Sequence, residues 1–129
     1  MKNPIIYIVL NGELKMSSGK AAAQAVHAAM MLSFQSKSAF TEDYKRTVIV
    51  LEAKNTDQIK NLYNYLQDAK IDSDYYTDEG RNEVDAYSVT ALAAGLFEYG
   101  IEGEEKRAIF SDFPLYGYKK NDWGRMFHL

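Results

Sequence analysis

The sequence predicts a single α/β domain, in which a mixed four-stranded sheet with the order β-α-β-α-β-β has helices packed on it. The continuous run of β-branched and aromatic residues at 5–10 has the composition of a strand buried on both faces, and a second apolar run at 47–53 is also predicted to be a strand. Each run is followed by a segment with a capping residue and helical character, and this alternation is typical of α/β sheets. The chain of 129 residues has the length of one domain, and 47% of its residues are hydrophobic, which is enough for a core.

The first strand is predicted at residues 5–10 and the first helix at about 19–35. Asn11 ends the strand, and Ser17 and Ser18 can cap the helix. The helix is rich in alanine, which favours helical structure and allows a helix to lie close to a sheet.

The second strand is predicted at 47–53 and is followed by a second helix. Asn55 can cap this helix, with Gln58 three residues further on in a capping-box arrangement. The apolar face of the helix has the spacing i, i+3, i+4, i+7 and consists of Ile59, Leu62, Tyr63, Leu66 and Ala69. Two further strands are predicted at 73–77 and 89–94, with a loop at 78–82.

Residues 98–129 have no clean period and are predicted to be a C-terminal extension of a domain at 1–97. The end of the extension interleaves aromatic and basic residues, namely Tyr116, Tyr118, Lys119, Lys120, Trp123, Arg125 and Phe127. Such a tail could stack bases or contact phosphates, which would make it an interaction surface. The more common arrangement is that it packs on the domain or forms a homodimer contact.

Composition and charge narrow the possible functions. The chain has no cysteine, which excludes disulfides and thiolate metal sites. The apolar run at 4–10 is too short for a transmembrane helix and has no cleavage site after it, so we expect a cytoplasmic protein without a membrane segment. The net charge of −3 counts against RNA binding, which usually requires a basic excess, although a local basic patch matters more than the sum.

Three polar residues of the first helix share one face. Lys20, Gln24 and His27 stand at i, i+4 and i+7, among alanines. The charge of Lys20 in the first turn opposes the helix dipole, which hints at an anionic ligand or a catalytic role. The ordinary alternative is a solvated lysine, a surface glutamine and a histidine satisfied in the core.

Two segments of the chain, residues 14–20 with Gln24 and His27 and residues 78–84, resemble the signatures of the archaeal and eukaryotic type (type II) peptidyl-tRNA hydrolase family. The first signature reads Leu-Lys-Met-Gly-Lys-Gly-Lys, followed by small residues, Gln, two residues and His-Ala, and this chain has Leu14-Lys15-Met16-Ser17-Ser18-Gly19-Lys20 with Gln24 and His27. The second, Asp-Ala-Gly-Arg-Thr-Gln-Ile, is approximated by Asp78-Glu79-Gly80-Arg81-Asn82-Glu83-Val84. The resemblance covers roughly residues 5–95.

The resemblance implies an enzyme that cleaves the ester between a peptidyl group and tRNA, and it implies the site residues by position. The catalytic residues are predicted to be Lys20, Asp78, Lys15 and Gln24. The substrate-binding residues are predicted to be Arg81, Asn82, Ser18 and His27, with His27 packing inside the site rather than acting as a base.

In the implied mechanism Asp78 is the base that orients water, and Lys20 or Lys15 stabilises the oxyanion. Gln24 positions the carbonyl or the water, while Arg81 and the remaining lysine hold the terminal phosphates. An ester needs no metal or covalent nucleophile, so no metal and no cofactor are expected. The expected partner is tRNA carrying a peptidyl group, and a homodimer is possible because similar enzymes are often dimers.

The departures from the signatures make this part of the chain less basic. Basic residues are replaced by Asn11 and Ser18, and acids appear at Glu83 and Asp85. Each lost phosphate contact should weaken RNA binding and flatten its salt dependence. An alternative interpretation is therefore a weakened or non-catalytic family member that serves as an RNA- or protein-binding module.

Overall fold

A computed structural model describes residues 3–36, 45–80 and 83–117 of the chain. Its strands and helices follow the predicted order, with one short helix after the last strand. They are β1 Ile5–Asn11, α1 Ser18–Gln35, β2 Thr47–Ala53, α2 Thr56–Asp68, β3 Ser73–Thr77, β4 Val89–Phe97 and α3 Glu104–Arg107.

The four strands form one mixed sheet with the spatial order β2-β1-β4-β3. Strand β1 is parallel to β2 and antiparallel to β4, which is in turn antiparallel to β3. All seven residues of β1 are buried, as expected for a central strand with a continuous apolar run. The predicted mixed α/β fold is confirmed.

The sheet has a different core on each face because the side chains of β1 alternate. One set packs with Leu62 and Leu66 of α2, in a cluster that we call the α2-side core. The other set packs with Ala28 and Leu32 of α1, in the α1-side core. The first set of β1 residues is Ile5, Tyr7 and Val9, and the second is Ile6, Ile8 and Leu10.

Side-chain caps start both long helices. The Ser17 hydroxyl accepts a hydrogen bond from the backbone N–H of Lys20 at 3.3 Å, and the Asn55 side chain accepts one from the N–H of Gln58 at 2.9 Å. The Gln58 side chain accepts from the N–H of Lys54 at 2.7 Å, one residue earlier than a capping box requires.

Strand β1 extends one residue further than the sequence suggested. Asn11 is buried as its last residue, and its amide nitrogen donates to the Thr56 hydroxyl at 3.0 Å and to the Val89 carbonyl at 2.8 Å. Because these bonds satisfy the buried amide, a polar residue can occupy the end of the strand.

Strand β4 contains a bulge next to β3. Tyr76 is opposite Ala91, but the next residue, Thr77, is opposite Val89, so Thr90 is an extra residue in β4. A bulge of this kind re-aims a side chain and is common beside active sites.

Part of the C-terminal extension packs on the domain. Phe110 and Phe113 are buried in the α2-side core, and the Phe110 ring stacks on Tyr7 with centroids 3.9 Å apart. The N–H of Glu52 in β2 donates to the Pro114 carbonyl at 2.9 Å, and the N–H of Tyr116 donates to the Val50 carbonyl of β2, also at 2.9 Å. Residues 114–116 thus cover part of the edge of β2. The predictions for the aromatic and basic residues beyond 117 lie outside the described residues.

Candidate active site

A cleft of about 600 Å³ lies between α1 and the loop that follows β3. This volume is within the usual range of about 300–1,000 Å³ for small-molecule sites. Its lining residues are Gly19, Lys20, Ala23, Gln24, His27, Tyr76, Asp78, Glu79 and Glu83.

The α1-side core explains why polar groups of the helix reach across to the sheet. Where α1 faces the sheet, the core contains Ala21 and Ala28 of the helix together with Ala91 and Ala93 of β4. Small side chains on both surfaces allow the helix backbone to approach the strand closely. The predicted row of Lys20, Gln24 and His27 therefore lines the cleft.

Lys20 and Asp78 form an ion pair that is almost removed from solvent. The Lys20 Nζ to Asp78 Oδ1 distance is 2.9 Å, and the two side chains are 9% and 10% exposed. The hydrogen bond from Lys20 holds the pKa of Asp78 below its ordinary value, with help from the Gly80 N–H, while burial acts in the opposite direction. Asp78 is therefore a carboxylate at neutral pH.

Gln24 connects this pair to β4. Its side-chain nitrogen donates to Asp78 Oδ1 at 3.4 Å, and its oxygen accepts from the Thr90 hydroxyl at 2.5 Å. Gln24 is 1% exposed and Thr90 is fully buried, so both amide ends need these partners. The bulge in β4 thus supplies the residue that fixes the orientation of the Gln24 amide.

Gly80 holds the Asp78 carboxylate from the other side. Its backbone N–H donates to Asp78 Oδ2 at 2.7 Å. Its φ is +77°, and an added Cβ would lie 2.4 Å from the backbone nitrogen of Ala86. Only glycine fits this conformation and this close approach, so the shape of the loop depends on Gly80.

An aromatic pair forms another part of the cleft wall. The His27 imidazole of α1 stacks on the Tyr76 ring of β3, with centroids 4.3 Å apart and an interplanar angle of 6°. His27 therefore packs inside the site. The sequence reasoning missed Tyr76, although an aromatic residue two positions before a signature aspartate could have indicated it.

Comparison with known proteins places the chain in a family. Residues 5–99 match the family model described as peptidyl-tRNA hydrolase PTH2. The chain belongs to this family. A protein of Methanopyrus kandleri named peptidyl-tRNA hydrolase is 31% identical over 113 residues, covering 84% of this chain and 94% of that protein. A second protein of that name, from Methanothermobacter thermautotrophicus, is 28% identical over 95 residues, covering 68% of this chain and 81% of that protein.

The predicted family is thus confirmed, and with it the predicted enzyme class. As a PTH2 member the chain is a hydrolase that acts on peptidyl-tRNA. The interpretation as a binding module without activity is not favoured.

Two predicted site residues of this PTH2 chain lie outside the cleft wall. Lys15 is exposed and has a left-handed backbone, with φ 48°, at the end of the short 3-10 turn Gly12–Leu14. Ser18 is the exposed first residue of α1. Arg81 and Asn82 lie outside the described residues.

Glu83 was noticed in the sequence only as an added acid, but it contacts the start of α1. Its carboxylate accepts hydrogen bonds from the Ser17 N–H at 2.9 Å and from the Ser17 hydroxyl at 2.5 Å. The hydroxyl bond is the main cause of a pKa of Glu83 below the ordinary value. Ser17, which replaces a glycine of the family signature, thus gains a partner in Glu83, which replaces the glutamine of the second signature.

Acids outnumber bases in the described wall of the cleft. Lys20 is accompanied by Asp78, Glu79 and Glu83. Within residues 3–36, 45–80 and 83–117, no three carboxylate or imidazole groups are arranged so that they could hold a metal ion. Across the same residues, each helix is too short or too polar to cross a membrane.

Proposed function

We propose that this cleft is where the chain hydrolyses the ester between a peptidyl group and tRNA, with water as the nucleophile. The supporting observation is the network of Lys20, Asp78 and Gln24, in which a cation, a carboxylate and an amide are in hydrogen-bond contact beside a cleft. Ester hydrolysis needs a group that orients water and a positive group near the developing oxyanion, and this network supplies both.

Asp78 orients the attacking water. Its Oδ1 accepts from Lys20 and Gln24, while Oδ2 accepts from the Gly80 N–H and can accept one more proton donor. Because its pKa is lowered, Asp78 is a weak base, so it positions the water and takes its proton only as the new C–O bond forms. The proton then passes to the sugar oxygen of the tRNA as the ester C–O bond breaks, which releases the sugar hydroxyl and the peptide carboxylate.

Lys20 stabilises the negative charge on the ester oxygen in the tetrahedral intermediate. An ammonium group has three N–H donors, and one of them is used by Asp78. The other two can point to a substrate oxygen in a site with little solvent, where such contacts are strongest. Gln24 holds Asp78 in place and is itself held by Thr90.

The predicted phosphate contacts belong on the rim of the site. The exposed position of Lys15 supports a role with the terminal phosphates of tRNA rather than with the oxyanion. For Arg81 and Asn82, which directly follow Gly80 in the sequence, we propose contacts with the substrate. Ser18, exposed at the start of α1, is proposed to contribute a hydroxyl to the same surface.

The test is single-turnover release of a labelled N-acyl-aminoacyl group from tRNA, comparing the unmodified chain with Lys20→Ala and Asp78→Asn. We expect each substitution to lower the rate by about 10²–10⁴-fold, the range for loss of an acid–base or oxyanion group. Lys106→Ala, which removes an exposed lysine of α3, is the matched control and should leave the rate unchanged. Full activity of both site variants would contradict the assigned residues. If the unmodified chain cleaved no substrate, the binding-module interpretation would apply instead.

We further propose that the enzyme acts in the cytoplasm, where translation supplies its substrate.

We also propose that the enzyme forms a homodimer through the outer face of α1. Val26, Met30 and Phe34 are 58%, 55% and 72% exposed and follow one another at intervals of four residues on this helix. An apolar stripe without charges can pack against its own copy about a two-fold axis. Sedimentation should show a dimer that Met30→Glu dissociates; a monomer in both cases would contradict the proposal.

A further inference from the structure

The aromatic wall of the cleft has no part in the proposed chemistry. His27 and Tyr76 come from α1 and β3, and their half-buried, nearly parallel rings are stacked on each other in the wall of the cleft that also contains Lys20 and Asp78. A parallel stack uses one face of each ring, so a third planar ring can extend it. Stacking on aromatic side chains, histidine included, is the usual way in which proteins hold unpaired RNA bases.

The charges around the cleft determine which part of a tRNA can lie against this wall. The charge of Lys20 is compensated by Asp78, and two further acids, Glu79 and Glu83, line the described cleft. In the described lining the lysine is already paired with Asp78, so a phosphate finds little attraction there, whereas an uncharged ring needs no cation. The part of the substrate that fits is therefore a base or a peptide side chain.

The terminal nucleoside of tRNA matches this wall better than a peptide side chain does. All peptidyl-tRNAs end in the same nucleoside, which is joined through its ribose to the ester that is cut, whereas the peptide side chains vary. His27 is seven residues from Lys20 along α1, which corresponds to about 10 Å at 1.5 Å per residue and leaves room for a ribose between the ester and the wall.

We propose that the His27–Tyr76 pair is the subsite for the base of the terminal nucleoside of tRNA, which stacks on the pair and thereby places the ester beside Lys20 and Asp78. The proposal rests on the proposed function, because it concerns the same cleft and the same substrate. It makes Tyr76 a binding residue whose ring, and not its hydroxyl, carries the effect.

Binding can be measured without catalysis. The probe is the RNA trinucleotide CCA, and its control is the same trinucleotide with an abasic 3′ residue. The chain has two histidines, so the imidazole proton signals in an NMR spectrum can be assigned to His27 with the variant His128→Gln. We expect CCA, and not the abasic control, to shift the His27 signals through the ring current of the stacked base.

Variants of Tyr76 then separate stacking from structure. Tyr76→Phe should bind CCA as the unmodified chain does, and Tyr76→Leu should bind it about tenfold more weakly, the loss expected for one base on one aromatic ring. Equal shifts from CCA and the abasic control, or no shift from either, would overturn the proposal.

Turnover gives an independent check with an internal control. N-acetyl-aminoacyl-tRNA should be cleaved about tenfold faster than the same ester on tRNA with an abasic terminal residue, and Tyr76→Leu should abolish this difference without slowing the abasic substrate. If Tyr76→Leu slows both substrates equally, its role is structural; if its effect depends on whether the acyl group is phenylalanyl or glycyl, the wall holds the peptide. Either result overturns the proposal while the hydrolase function stands. If the unmodified chain cleaves neither ester, the proposed function fails and the CCA titration alone decides on the subsite.

Discussion

The two faces of the sheet are packed with different kinds of side chain. On the α2 side the core contains large aromatic residues, with the ring of Phe110 stacked on Tyr7 and in edge contact with Phe97. On the α1 side the buried core residues that α1 and β4 contribute are mostly alanines, such as Ala28 and Ala91, while larger side chains such as Ile6 and Ile8 come from β1. Aromatic residues bury a large apolar area each and so contribute most to stability, whereas alanines contribute little area but bring two backbones close. The first face supports the fold, and the second places Lys20 and Gln24 within reach of Asp78.

The largest effect should come from removing an aromatic ring on the α2 side. Phe110→Ala should lower the free energy of unfolding by about 3–5 kcal/mol, because a buried phenylalanine is replaced by a cavity. The single-turnover rate of the folded protein should stay unchanged, since the ring lies on the face away from the cleft. Urea unfolding and the turnover assay measure the two quantities, and a rate that falls with stability would show that the faces are not independent.

Enlarging a residue on the α1 side should lower the rate as well as the stability. Ala28→Leu should cost about 1–3 kcal/mol of stability, because it overpacks a fully buried position. The rate should fall by about 10²-fold, since a displacement of about 1 Å in α1 misplaces the catalytic groups. Ala22→Leu, at an exposed position of the same helix, is the matched control and should change neither quantity appreciably. An undiminished rate in Ala28→Leu would mean that the close approach of α1 is not what the site requires.

A smaller effect is expected where β4 supports the site. Thr90→Val keeps the shape of the side chain but leaves the Gln24 oxygen without its donor. The loss of one buried hydrogen bond, about 1.4 kcal/mol, should allow the amide to turn from Asp78 and lower the rate roughly tenfold. Thr77→Val, at an exposed position of β3, is the control in the same assay. A change in stability alone, with the rate intact, would show that Thr90 serves only the core.

The smallest effect concerns acid stability. The pKa of Asp78 is lower in the folded chain than its ordinary value of 3.8, so its contribution to stability is present above that value and is lost as the pH falls through the folded-state pKa. The difference in free energy of unfolding between the unmodified chain and Asp78→Asn should therefore be constant from neutral pH down to about pH 4 and shrink below it. Urea unfolding across this range measures it; a difference that grows in acid would contradict the lowered pKa.

Local patterns were enough to predict the order of strands and helices along the chain, the family and the shared face of Lys20, Gln24 and His27. What the sequence could not provide are contacts set by the register of distant segments. Thr90 reaches Gln24, 66 positions away in the chain, only because of a bulge between β3 and β4. The stack of His27 on Tyr76 likewise depends on how α1 lies on the sheet.

Lys15 shows that a sequence motif can also suggest a contact that the fold does not make. It is five positions before Lys20 in the same signature, and the two lysines were expected to be interchangeable as the oxyanion partner. Lys15 is itself the left-handed residue at the end of the 3-10 turn, whereas Lys20 lies in the first turn of α1, so Lys20 lines the cleft and Lys15 does not. The position of a residue in a motif therefore did not determine its position in the site, because the two lysines belong to different structural elements.

The pairing of residues 114–116 with β2 also bears on how molecules of this protein meet one another. An open sheet edge is a template on which other chains can add strands, and such growth leads to aggregation. Here the chain's own segment occupies part of one edge through the bonds of Pro114 and Tyr116. The opposite edge, β3, is only five residues long and carries the charged Asp74. With both edges discouraged in this way, the homodimer proposed above would join two molecules through the outer face of α1 without extending the sheet.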